Sequence, residues 1–421
     1  MNYYNVAANL VCVLTKNNRY TQSELKNIVD IHYDEIIKST NMYTIEQLYD
    51  EIYYITTSEV EIDEFIVKNI FKFLIKLDME TSQNKMDNYH YNQVLNNKWN
   101  EAIDIFYTFD SFSRYSRGYD SISSLFRHLI FYIKDTPLKV NLEICNHYVN
   151  NEYSKITIGY VPYPITEVNF IDTDKGVYLK EREIIIKEDN IYLEKIKKVI
   201  KEYKCNIVFG PEMHGSKKLD EEIKKYLNND CMMIVCPSYH KQIEDLNVNE
   251  STLYLKDYKT GKRVTSITSK KYGVVLQGVK EWISDTKHKF NVVHIKGFGK
   301  IGIYICKDFL QNDMRSFIDE LNLDVILIQS YSGVTTNFQN VIPPLASEKR
   351  VLILGNSCTA LKEDKKIIYC QIGYYTRTTN TSSSLNNIDV DCCNKDCNKD
   401  CAVVIEVEKD LNEHFIVNQV K

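Results

Sequence analysis

Lys300-Ile-Gly-Ile-Tyr-Ile-Cys306-Lys-Asp308 is an apolar, largely β-branched run that stops on a thiol followed by two charged residues. A run without polar alternation reads as a strand buried on both faces, the kind found in sheets covered by helices. The same grammar extends in both directions from it. Lys155-Ile-Thr-Ile-Gly-Tyr-Val161, Asn206-Ile-Val-Phe209, Cys231-Met-Met-Ile-Val235, Ser251 to Asp257, Val292-Val-His-Ile295, Leu323-Asp-Val-Ile-Leu-Ile328 and Val351-Leu-Ile-Leu354 are further strands. Amphipathic segments such as Asn190 to Tyr203 alternate with them, which indicates an α/β layered domain.

Upstream the grammar is different. Thr21-Gln-Ser-Glu24 and Thr44-Ile-Glu-Gln47 are capping-box patterns, in which the Thr hydroxyl and the residue three later satisfy orphan amides of a first helical turn. Ile62, Phe65, Ile66, Ile70, Phe73, Leu74 and Leu77 recur at helical spacing and form one apolar stripe. Two more helices are expected, around Tyr91 to Phe112 and Ser121 to Lys134, and His128 is read as a packed or solvated histidine. The expected organisation is an all-α amino-terminal domain over residues 1–150, followed by an α/β domain over 151–421.

Bulk properties exclude several classes. The 421 residues exceed one ordinary core at about 150 residues per domain, and 44% hydrophobic against 26% charged residues is an ordinary globular balance. A net charge of −5 provides no basic field for nucleic acid or anionic lipid. No apolar stretch is long enough to span a membrane and no secretion signal opens the chain, so a cytoplasmic protein with no membrane partner is expected. In that compartment the 12 cysteines are expected to be reduced; Cys12, Cys145, Cys205, Cys236 and Cys358 read as small buried apolar residues.

Three strand ends carry chemistry. Phe209-Gly-Pro-Glu212 delivers a carboxylate after a Gly-Pro break, Thr265-Ser-Ile-Thr-Ser-Lys270-Lys271 delivers an ammonium, and Gly302-Ile-Tyr-Ile-Cys306 delivers a thiol. Ligand sites of open α/β sheets gather at such ends. Together the three groups permit acyl transfer: a thiol attacks a carbonyl or nitrile carbon, a carboxylate moves its proton, and an ammonium holds the oxyanion. Two lysines are adjacent and only one can face inward, so Lys271 stands as the alternative to Lys270.

The order and spacing of these residues resemble the nitrilase, or carbon-nitrogen hydrolase, superfamily. Asp257-Tyr-Lys-Thr-Gly261-Lys resembles the hairpin turn before the family's Lys, and Asn249 the Asn that begins that strand. Leu323 to Ser330, Ala346 to Asn356 and Ala402 to Glu406 are similar to the strands and helix that follow the nucleophile. The resemblance covers about Lys155 to Val417 and implies a four-layer α-β-β-α sandwich with Glu212, Lys270 and Cys306 as a catalytic triad. It implies that Glu281 is a second glutamate orienting the Lys, that the backbone amide of Lys307 serves the oxyanion, and that no cofactor is needed. It also implies a small amide-like substrate and a homo-oligomer. Lys307 replaces the family's usual aromatic residue, and Tyr272-Gly273 replaces a usual His-Leu.

Two other readings come from different classes. One is an inactive domain that binds a small metabolite and signals through the helical domain, which would dock a protein partner. The other is the glutaminase subunit of an amidotransferase with its synthetase on a separate chain, because no phosphate-binding Gly-Lys loop is present. Cys393, Cys397 and Cys401, in a duplicated Asn-Lys-Asp-Cys, would share one face of a helix and could hold zinc or copper. A surface repeat with no metal is the reading adopted.

Overall fold

The computed structural model of the chain describes residues 6–7, 10–11, 13–14, 20, 22–57, 61–83, 103–107, 129–133, 142–164, 170–228, 230–257, 261–276, 279–284, 286, 288–321, 323–332, 336–345, 350–362, 365–375, 386–389, 402–410 and 415–420. It divides into two compact units, Met1–Val140 with Asp319–Asn322, and Asn141–Ile318 with Leu323–Lys421.

In the first unit, helices α1 (Gln22–Ile31), α2 (Tyr33–Met42) and α3 (Ile45–Thr57) pack on α4 (Glu64–Gln83). The Thr44 capping box closes as its spacing requires: the Thr44 amide donates to Gln47 Oε1 at 2.9 Å and the Gln47 amide to Thr44 Oγ1 at 3.3 Å. Thr21 of the other box lies outside the described residues. On α4 the stripe is wider than the heptad pattern suggests, since Val67 and Phe71 are buried with Ile66, Ile70, Phe73, Leu74 and Leu77, as expected for a helix touched from several sides. Phe65 is a correction, 63% exposed at the first turn.

A second correction concerns the segments read as further helices. Within them Ile103–Tyr107 (β1) and Leu129–Ile133 (β2) pair antiparallel, Ile105 opposite Phe131. Ile-Asp-Ile-Phe-Tyr and Leu-Ile-Phe-Tyr-Ile are β-branched and aromatic, and cross-strand packing of such residues overrides a loosely helical period. The unit is therefore not purely helical. His128 lies outside the described residues.

The second unit holds two large sheets. Its strands are β3 (Leu142–Val149), β4 (Lys155–Tyr160), β5 (Phe170–Thr173), β6 (Gly176–Leu179), β7 (Ile207–Phe209), β8 (Met233–Val235), β9 (Tyr239–Ile243), β10 (Leu246–Lys256), β11 (Arg263–Ser269), β12 (Val275–Leu276), β13 (Val279–Lys280), β14 (His288–Ile295), β15 (Gly299–Ile305), β16 (Val325–Ser330), β17 (Val351–Lys362), β18 (Lys365–Tyr375), β19 (Asn386–Asp389), β20 (Val403–Lys409) and β21 (Phe415–Gln419). One sheet runs β11-β10-β8-β7-β4-β20-β21 with β9 attached to β10; the other runs β19-β18-β17-β16-β15-β14-β3. β3 is a strand the sequence reading missed: it lies just upstream of position 151, yet it pairs in parallel along all of β14.

The sheets stack face to face. Ile158, Ile207, Phe209, Val235 and Leu253 of one meet Val293, Ile303, Leu327, Val351 and Ile353 of the other in a single core. The opposite face of the first sheet is covered by α5 (Lys187–Tyr203) and α6 (Lys217–Ile223), where Ile196, Val199, Leu219 and Ile223 pack on Val208, Ile234 and Val404. The outer face of the second is covered by α7 (Lys307–Leu310), α8 (Asn312–Glu320) and α9 (Thr336–Leu345). There Phe309 meets Tyr304 and Phe338, and Phe317 meets Phe290. The layering is α-β-β-α. Because β15 and β16 lie inside it, every residue of both is buried, which explains their unbroken apolar sequences. Among the described residues no helix is long and apolar enough to cross a membrane.

One close approach between the sheets needs a residue without a side chain. Gly355 of β17 faces Tyr160 and Phe209, whose rings lie 5.0 Å apart, and a Cβ at 355 would run into both. Gly355→Ala is therefore expected to destabilise the second unit by about 1–3 kcal/mol, the usual range for overpacking a core. Denaturant unfolding of the variant checks this, and unchanged stability would mean that the sheets are less tightly apposed.

Candidate active site

Glu212, Lys270, Glu281 and Cys306, distant in sequence, meet where strands of both sheets end. Glu212 follows β7 across Gly210-Pro211, and the next residue, Met213, has φ of 65°. Cys306 follows β15 with φ of 45° and ψ of −109°. Positive φ at a residue with a side chain costs about 1–3 kcal/mol and persists only where the surroundings over-determine it. At Cys306 they do: its amide donates to Gln329 O at 2.7 Å, and Ser330 Oγ donates to its Sγ at 3.7 Å. Both partners belong to β16, the parallel neighbour of β15.

Lys270 is the first residue past β11 and is wholly buried. Its ammonium donates to Glu212 Oε1 and Glu281 Oε2, both at 2.6 Å. Of the two adjacent lysines, Lys270 points in and Lys271 points to Asp313, at 3.6 Å. Asp308 accepts the amides of Lys271 and Tyr272, joining the turn after Lys270 to the turn after Cys306. Glu212 is fixed at two further points: Asn249 Nδ2 donates to Oε1 at 3.2 Å and the Tyr331 amide to Oε2 at 2.9 Å. Glu281 accepts from the Val274 amide at 3.0 Å and from Asn249 at 3.2 Å.

Electrostatics follow from two acids and one base sealed from water. Burial opposes charge on Lys270, but Glu212 and Glu281 outweigh it and hold the ammonium well above its ordinary range. Burial alone would raise Glu281; Lys270 and His240 instead hold it well below the usual carboxylate range. At Glu212 burial prevails over Lys270 and the charge of Glu281 adds to it, so its carboxyl is raised. Burial and the Glu212 charge push the Cys306 thiol up. The resting site is therefore a neutral thiol under the charge of a carboxylate of enhanced basicity, beside a permanent cation.

The side chain of Lys307 is anchored. Its Nζ donates to Gly273 O at 2.8 Å, which ties the turn after Lys270 to the residue after Cys306. Its backbone amide directly follows the Cys306 turn. Cys205, Cys231 and Cys236 are buried and Cys145 half-buried; Cys12, the side chain of Cys358, and Cys393, Cys397 and Cys401 lie outside the described residues.

Three participants were not singled out from the sequence. Gln329 Nε2 bridges the sheets through Gly210 O at 2.9 Å and Cys236 O at 2.8 Å. Tyr331 reaches Glu212 through its backbone amide, invisible to any motif. His240 contacts Glu281 at 2.8 Å, and the register of its hairpin was the available signal. Ile243 pairs with Leu246 across Glu244-Asp245, which sets His240 opposite Asn249 on the same face.

No protein-family model and no curated protein sequence matches the chain. Among solved structures it is similar to a glutamine-dependent NAD+ synthetase from Acinetobacter baumannii, at 13% identity and a TM-score of 0.40 over 63% of this chain and 48% of that one. It is also similar to a carbon-nitrogen hydrolase from Helicobacter pylori G27 (13% identity, TM-score 0.38, 53% of this chain and 82% of that). An amidase from Nesterenkonia sp. is a third (12% identity, TM-score 0.38, 52% and 82%). The chain thus spans about half the length of the synthetase. At such distance the functional reading stands on the side-chain geometry and not on these likenesses.

The buried carboxyl of Asp308 gives the site a pH signature in stability. Burial pushes it up to about 7, with the Lys271 and Tyr272 amides opposing. Its folded value lies above the unfolded value of about 3.9, so the stability it contributes is full below about pH 4 and is lost as pH rises to about 7. Unfolding free energies of wild type and Asp308→Asn across that window are expected to converge by at most about 1.4 kcal/mol per pH unit. A pH-independent difference would place Asp308 in water.

Proposed function

We propose that the chain is a hydrolase of the nitrilase kind that cleaves a non-peptide carbon-nitrogen bond, with a small amide as substrate and a thioester on Cys306 as intermediate. The observation that carries this reading is the buried junction in which the Lys270 ammonium donates to Glu212 while the Glu212 charge bears on the Cys306 thiol.

In the proposed reaction Sγ of Cys306 attacks the amide carbon while its proton passes to Glu212. The carbonyl electron pair moves to oxygen, where the Lys270 ammonium and the Lys307 amide stabilise it. As the tetrahedral species collapses, the C–N bond breaks and Glu212 returns the proton to nitrogen, releasing ammonia or an amine. Water then attacks the thioester, with Glu212 taking its proton. The C–S bond breaks, the carboxylic acid leaves, and the sulfur is reprotonated. A raised carboxyl makes Glu212 a stronger base toward the thiol and the attacking water. Lys270 remains charged throughout, held by Glu281, and no cofactor enters.

Ammonia release from short aliphatic amides and from L-glutamine tests the proposal and separates an amidase from a glutaminase. Cys306→Ala is expected to lower turnover by at least about 1000-fold, as loss of a nucleophile does. Glu212→Gln is expected to lower it by at least about 100-fold, the contribution of a positioned acid–base group. The acylated protein should carry its added mass on Cys306. Turnover surviving Cys306→Ala would refute the assignment.

A further inference from the structure

His240 is buried and contacts the site without belonging to the Glu-Lys-Cys arrangement. Its two ring nitrogens face different partners. Nδ1 lies 2.7 Å from the Leu179 amide, which can only donate, so Nδ1 is the acceptor. In the neutral ring the hydrogen then resides on Nε2, which points at Glu281 Oε1 at 2.8 Å. The Leu179 amide thus selects the tautomer that donates to Glu281, much as outer-shell hydrogen bonds orient the ligands of metal sites.

The same edge of β6 also holds the backbone around Glu281. Val177 bridges Glu281 in parallel, and Trp282 N donates to Val177 O at 2.8 Å. Glu281 Oε1 is left to His240 and Asn249, while Oε2 takes Lys270 and the Val274 amide. Without the histidine Oε1 keeps only the longer 3.2 Å contact from Asn249, which loosens the carboxylate that holds the ammonium at 2.6 Å.

We propose that His240 is a positioning residue: through the tautomer set by Leu179 it locks the rotamer of Glu281, and through Glu281 it aims the Lys270 ammonium at the junction of Glu212 and Cys306. This rests on the hydrolase reading above. Misplacing a group by about 1 Å costs on the order of 100-fold in rate, so the effect belongs in the chemical step and not in substrate capture.

The experiment measures the rate of Cys306 alkylation by iodoacetamide, read by peptide mass, in wild type, Glu212→Gln and three variants of His240, each confirmed as folded by circular dichroism. Gln at 240 can still donate to Glu281. Asn can satisfy only Leu179, and Ala neither. The proposal expects about tenfold or greater slowing for Ala and Asn, with Gln within about threefold of wild type, judged against that same positional sensitivity. Where an amide of the panel is hydrolysed, kcat should follow the same order and KM stay level. If Glu212→Gln slows alkylation but all three His240 variants match wild type, or Asn rescues while Gln does not, the positioning role is wrong and the hydrolase reading stands. If Glu212→Gln itself has no effect, the nucleophile reading falls and this inference falls with it.

Discussion

A single ammonium, Lys270, held 2.6 Å from each of two buried carboxylates, is the contact on which the arrangement of the second unit's site depends. Burying any one of these charges alone would cost several kcal/mol, and removing one partner of a buried pair typically costs about 3–5 kcal/mol. The three side chains arrive from the end of β7, the end of β11 and the segment after β13. Satisfying them together fixes three chain reversals at once. The remaining excess of negative charge falls on Glu212 and the thiol beside it, both raised from their ordinary values.

Backbone geometry completes what the charges begin. The strained turn at Cys306 is held from β16 through the Gln329 carbonyl and Ser330 hydroxyl, while the Gln329 side chain reaches across to Gly210 and Cys236 of the opposite sheet. One strand therefore supports the thiol of one sheet and the carbonyls flanking the acid of the other. Face-to-face stacking on a shared apolar core makes the two sheets rigid supports for that junction.

Glu212, Cys306 and the lysine pair stood out in the sequence because each ends a strand whose apolar run is unambiguous, and strand alternation left one lysine to face inward. β10 could be read, but β3 could not: in Leu-Glu-Ile-Cys-Asn-His-Tyr-Val the polar residues Glu143, Asn146 and His147 break both an apolar run and a strict alternation, and its place in the sheet depends on β14, far along the chain. β1 and β2 were lost to a helical period that cross-strand aromatic packing overrode. His240 and the Tyr331 amide were hidden for different reasons: one needs the register of a hairpin, and the other carries no side-chain signal.

The most direct measurement is a double-mutant cycle in unfolding free energy between Lys270→Met and Glu281→Gln. Two groups in direct buried ionic contact should show a coupling of at least about 1–3 kcal/mol, with the double variant markedly more stable than the sum of single losses allows. Strictly additive losses would mean that the ammonium and the carboxylate do not meet, and would contradict the account.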